Sequence, residues 1–218
     1  MKEFNYELSY FAEMIKENSY GGNQNWFSEN MNRNLFNKLI DIMIINEGCG
    51  YVSIVNMYLY SKYKENKIGY NKTEFMEYME IIYKKNLNFR IGINSINFLE
   101  KIGKKFITNL ESDKYYFIKF QKHGNSKIEA INFIIENIKN DYPIAILIHH
   151  EVSDNQNNNS FKYHWITITG IHSKNDKIYL MVSTWGEKWS YIDFDDVWDK
   201  KNKLINLLGE SGMVVLKY

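Results

Sequence analysis

His164-Trp165-Ile166-Thr167-Ile168-Thr169-Gly170-Ile171 is followed, two residues on, by Lys174-Asn175-Asp176 and then by Lys177-Ile178-Tyr179-Leu180-Met181-Val182. From Trp165 the first run alternates apolar and polar with period two, the signature of a strand with unlike faces. The second run is equally β-rich, and the polar turn between them makes the pair a hairpin. Three further runs extend the sheet: Pro143 to His149, Tyr191 to Phe194, and Met213 to Leu216.

Upstream the period changes from two to that of a helix. Residues 3 to 18 set Leu8, Tyr10, Phe11, Met14 and Ile15 among charges, a helical pattern that stops at Tyr20-Gly21-Gly22. Val52, Val55, Tyr58 and Leu59 mark a helix after Cys49, and Phe75, Tyr78, Met79, Ile82 and Tyr83 another, opened by Asn71-Lys72-Thr73-Glu74. Ile96, Leu99, Ile102 and Phe106 suggest a further one. Ser126-Lys127-Ile128-Glu129 has the spacing of a capping box ahead of Ile131, Ile134, Ile135 and Ile138. Leu35 to Asn46 suits either a helix or a buried strand. Helices first and an antiparallel sheet afterwards predict an α+β fold. No Gly/Ser/Pro linker or repeat interrupts it, and the one low-complexity patch is Asp154 to Ser160. The expectation is one domain over 1–218, helical over residues 1–140 and sheet-forming over residues 141–218.

Composition narrows the function. Of 218 residues, 44% are hydrophobic and 16% aromatic, which excludes a disordered chain. Lys+Arg of 27 against Asp+Glu of 26 leaves a net charge of +1, so nucleic-acid binding through bulk charge is not expected. A single cysteine excludes an internal disulfide framework and a thiolate-rich zinc site, and it fits a reducing cytosol. Acidic residues in the first eight and the lack of a long uncharged apolar run argue against a leader and a membrane span. A cytoplasmic protein is expected, without membrane partner or cofactor.

The one cysteine lies in Asn46-Glu47-Gly48-Cys49-Gly50-Tyr51 at the head of a predicted helix. Flanking glycines leave room for a substrate backbone, and a helix N-terminus lowers a thiol pKa. The plainer reading is a small buried hydrophobe. Among five histidines, His164 opens a strand, where a base is held rigidly beside a cleft. His149, His150 and His172 also stand at strand ends, and His123 lies in a polar loop. A metal reading would draw on His149, His150, Glu151 and His164, but adjacent strand residues face opposite ways and no HExxH is present. No metal is expected.

Gly48-Cys49-Gly50 before a helix, His164 at a strand start 115 residues later, and Ser183-Thr184-Trp185-Gly186 ending its hairpin partner together resemble papain-like cysteine peptidases. The likeness is closest to the bacterial C39-like branch, including uncharacterised clostridial members with a Gly-Gly-Asn-Gln-x-Trp-Phe segment, here Gly21 to Phe27. It covers residues 21–60 and 142–195. The resemblance implies Cys49 as nucleophile, His164 as general base, and Gln24 as the side-chain oxyanion donor beside the Cys49 backbone N–H. It places Ser183 where the family usually has the Asn or Asp that orients the histidine, with Asp176 or Asp193 as substitutes. It implies a thiol hydrolase or peptidase acting on a peptide or amide. The alternatives are an acyltransferase on the same fold and a catalytically weakened peptide-binding module.

Overall fold

The hairpin that begins at His164 becomes the centre of the sheet. In the computed structural model, which describes residues 3–16, 18–29, 34–86, 92–110, 114–153, 160–198 and 211–218, β6 (His164–Lys174) returns as β7 (Lys177–Thr184). Residues 154–159 of the low-complexity patch lie outside the described residues. Asn175 and Asp176 take φ of 51° and 59°. Positive φ at both central residues is the hairpin turn whose twist matches the strands, and Asn and Asp tolerate it. A second two-residue turn, Trp185-Gly186, leads into β8 (Glu187–Asp193).

β3 (Ile144–Ile148) pairs with the other edge of β6, then with β9 (Gly212–Lys217), which pairs with β2 (Tyr116–Gln121). Every one of these pairings is antiparallel, in the order β2-β9-β3-β6-β7-β8. The short β1 (Asn5–Glu7) takes over the edge of β6 where β3 ends. A separate two-stranded ribbon pairs β4 (Val152–Ser153) with β5 (Ser160–Phe161).

The helices follow their caps. α3 (Lys72–Lys84), α4 (Ile96–Thr108) and α5 (Lys127–Lys139) begin after Asn71, Ser95 and Ser126, whose side chains each accept a backbone N–H. At Ser126 the reciprocal Glu129 bond completes the capping box. The ambiguous stretch is α1 (Leu35–Glu47), capped by Asn34. α2 (Cys49–Tyr63) is buried on nearly every side from Gly50 to Ser61, as a helix apolar all round must be. It crosses the sheet at β6 and packs on α3 and α4. The short α6 (Phe194–Trp198) follows β8.

The fold is α+β, and two segments depart from the sequence reading. Residues 3–18 do not form a helix: the described part is β1 and a single 3-10 turn at Phe11–Glu13. Leu8, Tyr10, Phe11, Met14 and Ile15 are all buried, not set on one stripe. Their backbone groups find partners far along the chain, Leu8 N on Thr169 O at 2.9 Å and Tyr70 N on Met14 O at 2.9 Å. β2 has no counterpart among the expected strands, and with β1 it carries residues of the first 140 into the sheet. Among the described residues no single helix is long and apolar enough to cross a membrane.

Candidate active site

Cys49 is the first residue of α2, where the chain turns sharply: α1 and α2 meet at 88° across Gly48. Both neighbouring glycines are needed by internal packing. A Cβ on Gly48 would lie 2.3 Å from the Ile44 carbonyl oxygen. One on Gly50 would lie 2.7 Å from Ile93 Cβ and 3.1 Å from Trp165 Cδ1.

Gln24 begins a 3-10 helix (Gln24–Glu29) and is held by the strap that precedes it. Tyr20 N donates to Gly186 O at 2.7 Å, and Tyr20 Oη to Thr169 Oγ1 at 2.8 Å. Gly22 N donates to Asn56 Oδ1 at 2.9 Å, and Asn56 Nδ2 donates on to Thr167 Oγ1 at 3.3 Å. The strap is thereby stitched to β6, α2 and the β7–β8 turn. Gln24 Nε2 donates to Ile45 O at 2.6 Å, one of the carbonyls left open at the C-terminal end of α1. An amide nitrogen carries two protons, so one remains for a ligand.

His164 opens β6 and is 7% exposed. Its Nε2 lies 2.8 Å from Thr184 Oγ1. With the proton assigned to Nε2 and donated to that hydroxyl, Nδ1 keeps its lone pair. Ser183 is not the partner of the imidazole. Its hydroxyl donates to Tyr20 O at 2.6 Å and fastens the strap. Strand parity explains the exchange: Thr167 and Ser183 are cross-strand partners on one face, so His164 and Thr184 share the other. Counting the alternation from Thr167 would have found Thr184. Asp193 is bonded to Lys177, and Asp176 sits in the turn at the far end of β6.

The imidazole is walled by aromatic rings. Trp185 stacks on it with centroids 4.6 Å apart at 26°, and Phe161 stands 5.6 Å away. Trp185 has φ of 49°, an unusual conformation for a bulky side chain, fixed by the tight turn. Gly186 beside it has φ of 78°, where a side chain is strained, and a Cβ would also lie 2.6 Å from Ser19 Oγ.

Gln24, Cys49, His164, Ser183, Thr184 and Trp185 line one small cavity. Its volume is about 10 Å³, the room needed by a single water. His149 and His150 lie past the end of β3, His149 edge-on to Tyr163 at 6.5 Å and His150 Nε2 on the Asp196 carbonyl. His172 stacks on Tyr179 toward the distal end of β6, and His123 is exposed. Among the described residues no group of three or more His, Cys, Asp or Glu is placed to hold a metal ion.

The electrostatics reverse one expectation. Burial dominates and pushes the Cys49 thiol up, not down. The backbone N–H groups of Trp165, Gly50 and Cys49 itself oppose the rise, and the charge of Glu47 adds to it. Burial also lowers His164 to about 4. The N–H groups at the helix N-terminus favour the thiolate, but removal of water outweighs them. Both shifts favour the uncharged forms of the thiol and the imidazole.

No protein-family model matches the chain, and no curated protein matches it at a significant level.

Proposed function

We propose that this protein is a papain-like thiol hydrolase of peptide or amide bonds, with Cys49 as nucleophile, His164 as general base and Gln24 as oxyanion donor. The observation that carries the reading is convergence. Residues 24, 49 and 164 come from three distant segments on a 3-10 helix, an α-helix and a strand, yet they line one cavity. That cavity holds the only thiol of the chain.

The uncharged forms of Cys49 and His164 set the mechanism. His164 is uncharged above pH of about 4 and free to accept a proton. Cys49 Sγ attacks the carbonyl carbon as its proton passes to His164 Nδ1. The forming oxyanion is met by the second Gln24 N–H and the Cys49 N–H. His164 then protonates the leaving amine, and water attacks the thioester with His164 again as base. Thr184 holds the ring's tautomer and Trp185 excludes water from that contact.

The test is turnover of an activated peptide thioester. The reading expects many equivalents of free acid per protein, lost in Cys49→Ala and His164→Ala. Acyl transfer to an added amine in preference to water would make the protein an acyltransferase. A second reading is favoured by the raised thiol and the one-water cavity: a peptide-binding module that keeps the fold without turnover. It predicts no acid release from wild type.

A further inference from the structure

Asn56 lies about two turns after Cys49 on α2, is fully buried and has no part in the mechanism above. A buried amide costs free energy unless its polar atoms find partners, and both of these do. Oδ1 accepts from Gly22 N at 2.9 Å, and Nδ2 donates to Thr167 Oγ1 at 3.3 Å. The amide cannot be turned round, because a backbone N–H only donates and must face the oxygen. From Thr167 the circuit closes, since its cross-strand partner Ser183 donates to Tyr20 O at 2.6 Å. Between these two ties the strap passes through Gly21 with φ of 83°. An added Cβ there would lie 2.2 Å from Ser183 Oγ and 3.2 Å from Asn56 Nδ2. Gln24 follows two residues after Gly22, its side chain tied to Ile45 O. Gly22, Gln24, Thr167 and Ser183 line the cavity of Cys49, and Asn56 holds them from the helix that carries the thiol.

We infer that Asn56 is a positioning residue for the reaction at Cys49: by holding Gly22 it sets where Gln24 presents its free N–H to the forming oxyanion. This inference rests on the proposed hydrolase reading and adds to it a residue that does not touch the substrate. An oxyanion donor works only when it is fixed in advance at the place where charge develops. Gly21 and Gly22 give the strap no stiffness of its own, so a partner in the core has to supply it. Asn56 does so from the element that carries the sulfur, which keeps donor and nucleophile in one frame.

The experiment follows two reactions of the single thiol by intact mass: acylation by an activated peptide thioester, which builds an oxyanion, and alkylation by iodoacetamide, which does not. In acylation Cys49 Sγ bonds to the carbonyl carbon, and the departing thiol takes up the proton that Cys49 gives away. In alkylation a C–S bond forms, iodide leaves and the thiol proton passes to base. Gln24→Ala should slow acylation by about 100-fold or more, the loss of one oxyanion donor. Asn56→Ala should slow it by about tenfold or more, as a displaced donor does, and leave alkylation unchanged. The double variant should be no slower than Gln24→Ala, because both changes act on the same donor. Asn56→Asp, which keeps an acceptor toward Gly22 N, should recover most of the rate. If Asn56→Ala does not fold, Asn56→Ser carries the same comparisons with a side chain too short to reach Gly22 N. Three results overturn the inference and leave the hydrolase reading standing: full acylation in Asn56→Ala, equal slowing of both reactions, or effects of the two single variants that multiply in the double. Failure of wild type to acylate at Cys49 overturns both.

Discussion

Thr184→Val and Ser183→Ala remove neighbouring hydroxyls from one strand, and the structure gives them different consequences. Thr184 and His164 are 3% and 7% exposed, and their contact is 2.8 Å. Valine keeps the shape of threonine but strands the imidazole nitrogen, which costs about 1–3 kcal/mol when a buried polar group loses its partner. For a chain of this size the melting temperature should fall by about 2–12 °C. Ser183→Ala strands the Tyr20 carbonyl instead, with a stability loss of similar size. Reactivity separates the two. In the proposed mechanism a ring free to turn would meet the thiol less well, and a misplacement of about 1 Å can cost about 100-fold. Acylation of Cys49 by a peptide thioester, corrected for the folded fraction, should slow by about 10- to 100-fold in Thr184→Val. Ser183→Ala should leave the imidazole ¹⁵N shifts of His164 in place, whereas Thr184→Val should move them, and Thr184→Ser should recover the wild-type values. Unmoved shifts in Thr184→Val with moved shifts in Ser183→Ala would refute the assignment of Thr184 as the positioning residue.

Other perturbations follow from the same contacts. Because burial lowers His164 to about 4 from an unfolded value near 6.5, the unfolded chain binds the extra proton between those values. Stability should therefore fall as pH drops from 6.5 to 4, by about 3 kcal/mol in all. Urea unfolding at pH 7 and pH 4.5 checks this, and His164→Asn should flatten the dependence. Trp185→Ala opens the His164–Thr184 contact to water, so both stability and the acylation rate of folded protein should decline. Full activity in the folded fraction would make Trp185 a packing residue only. Gly50→Ala drives a methyl to 2.7 Å from Ile93, an overpacking worth about 1–3 kcal/mol, seen as a lower urea midpoint.

What is legible in the sequence is what neighbours in the chain decide. The Ser126–Glu129 box, the Asn71 cap and the alternation after His164 are local signals, and each has its element in the structure. The N-terminal strap is not legible, because its hydrogen-bond partners at residues 70 and 169–173 lie far along the chain. β2 is an edge strand whose residues are mostly half-buried or exposed, so its alternation is weak. At the site, the gathering of residues 24, 49 and 164 follows the order of the motifs, but finer roles depend on direction. Strand parity sends Ser183 to the strap and Thr184 to the ring. The thiol's environment depends on burial and on Glu47, and spacing along a chain reports neither.

Whether His164 acts on Cys49 is decided by the single-turnover acylation rate of Cys49 at pH 7, measured by intact mass in wild type and His164→Ala. Complete labelling of both proteins in denaturant normalises the two. If His164 is the base, the rate is about 10²- to 10⁴-fold lower in the variant, the usual contribution of a positioned base. Equal native rates in the two proteins would contradict it.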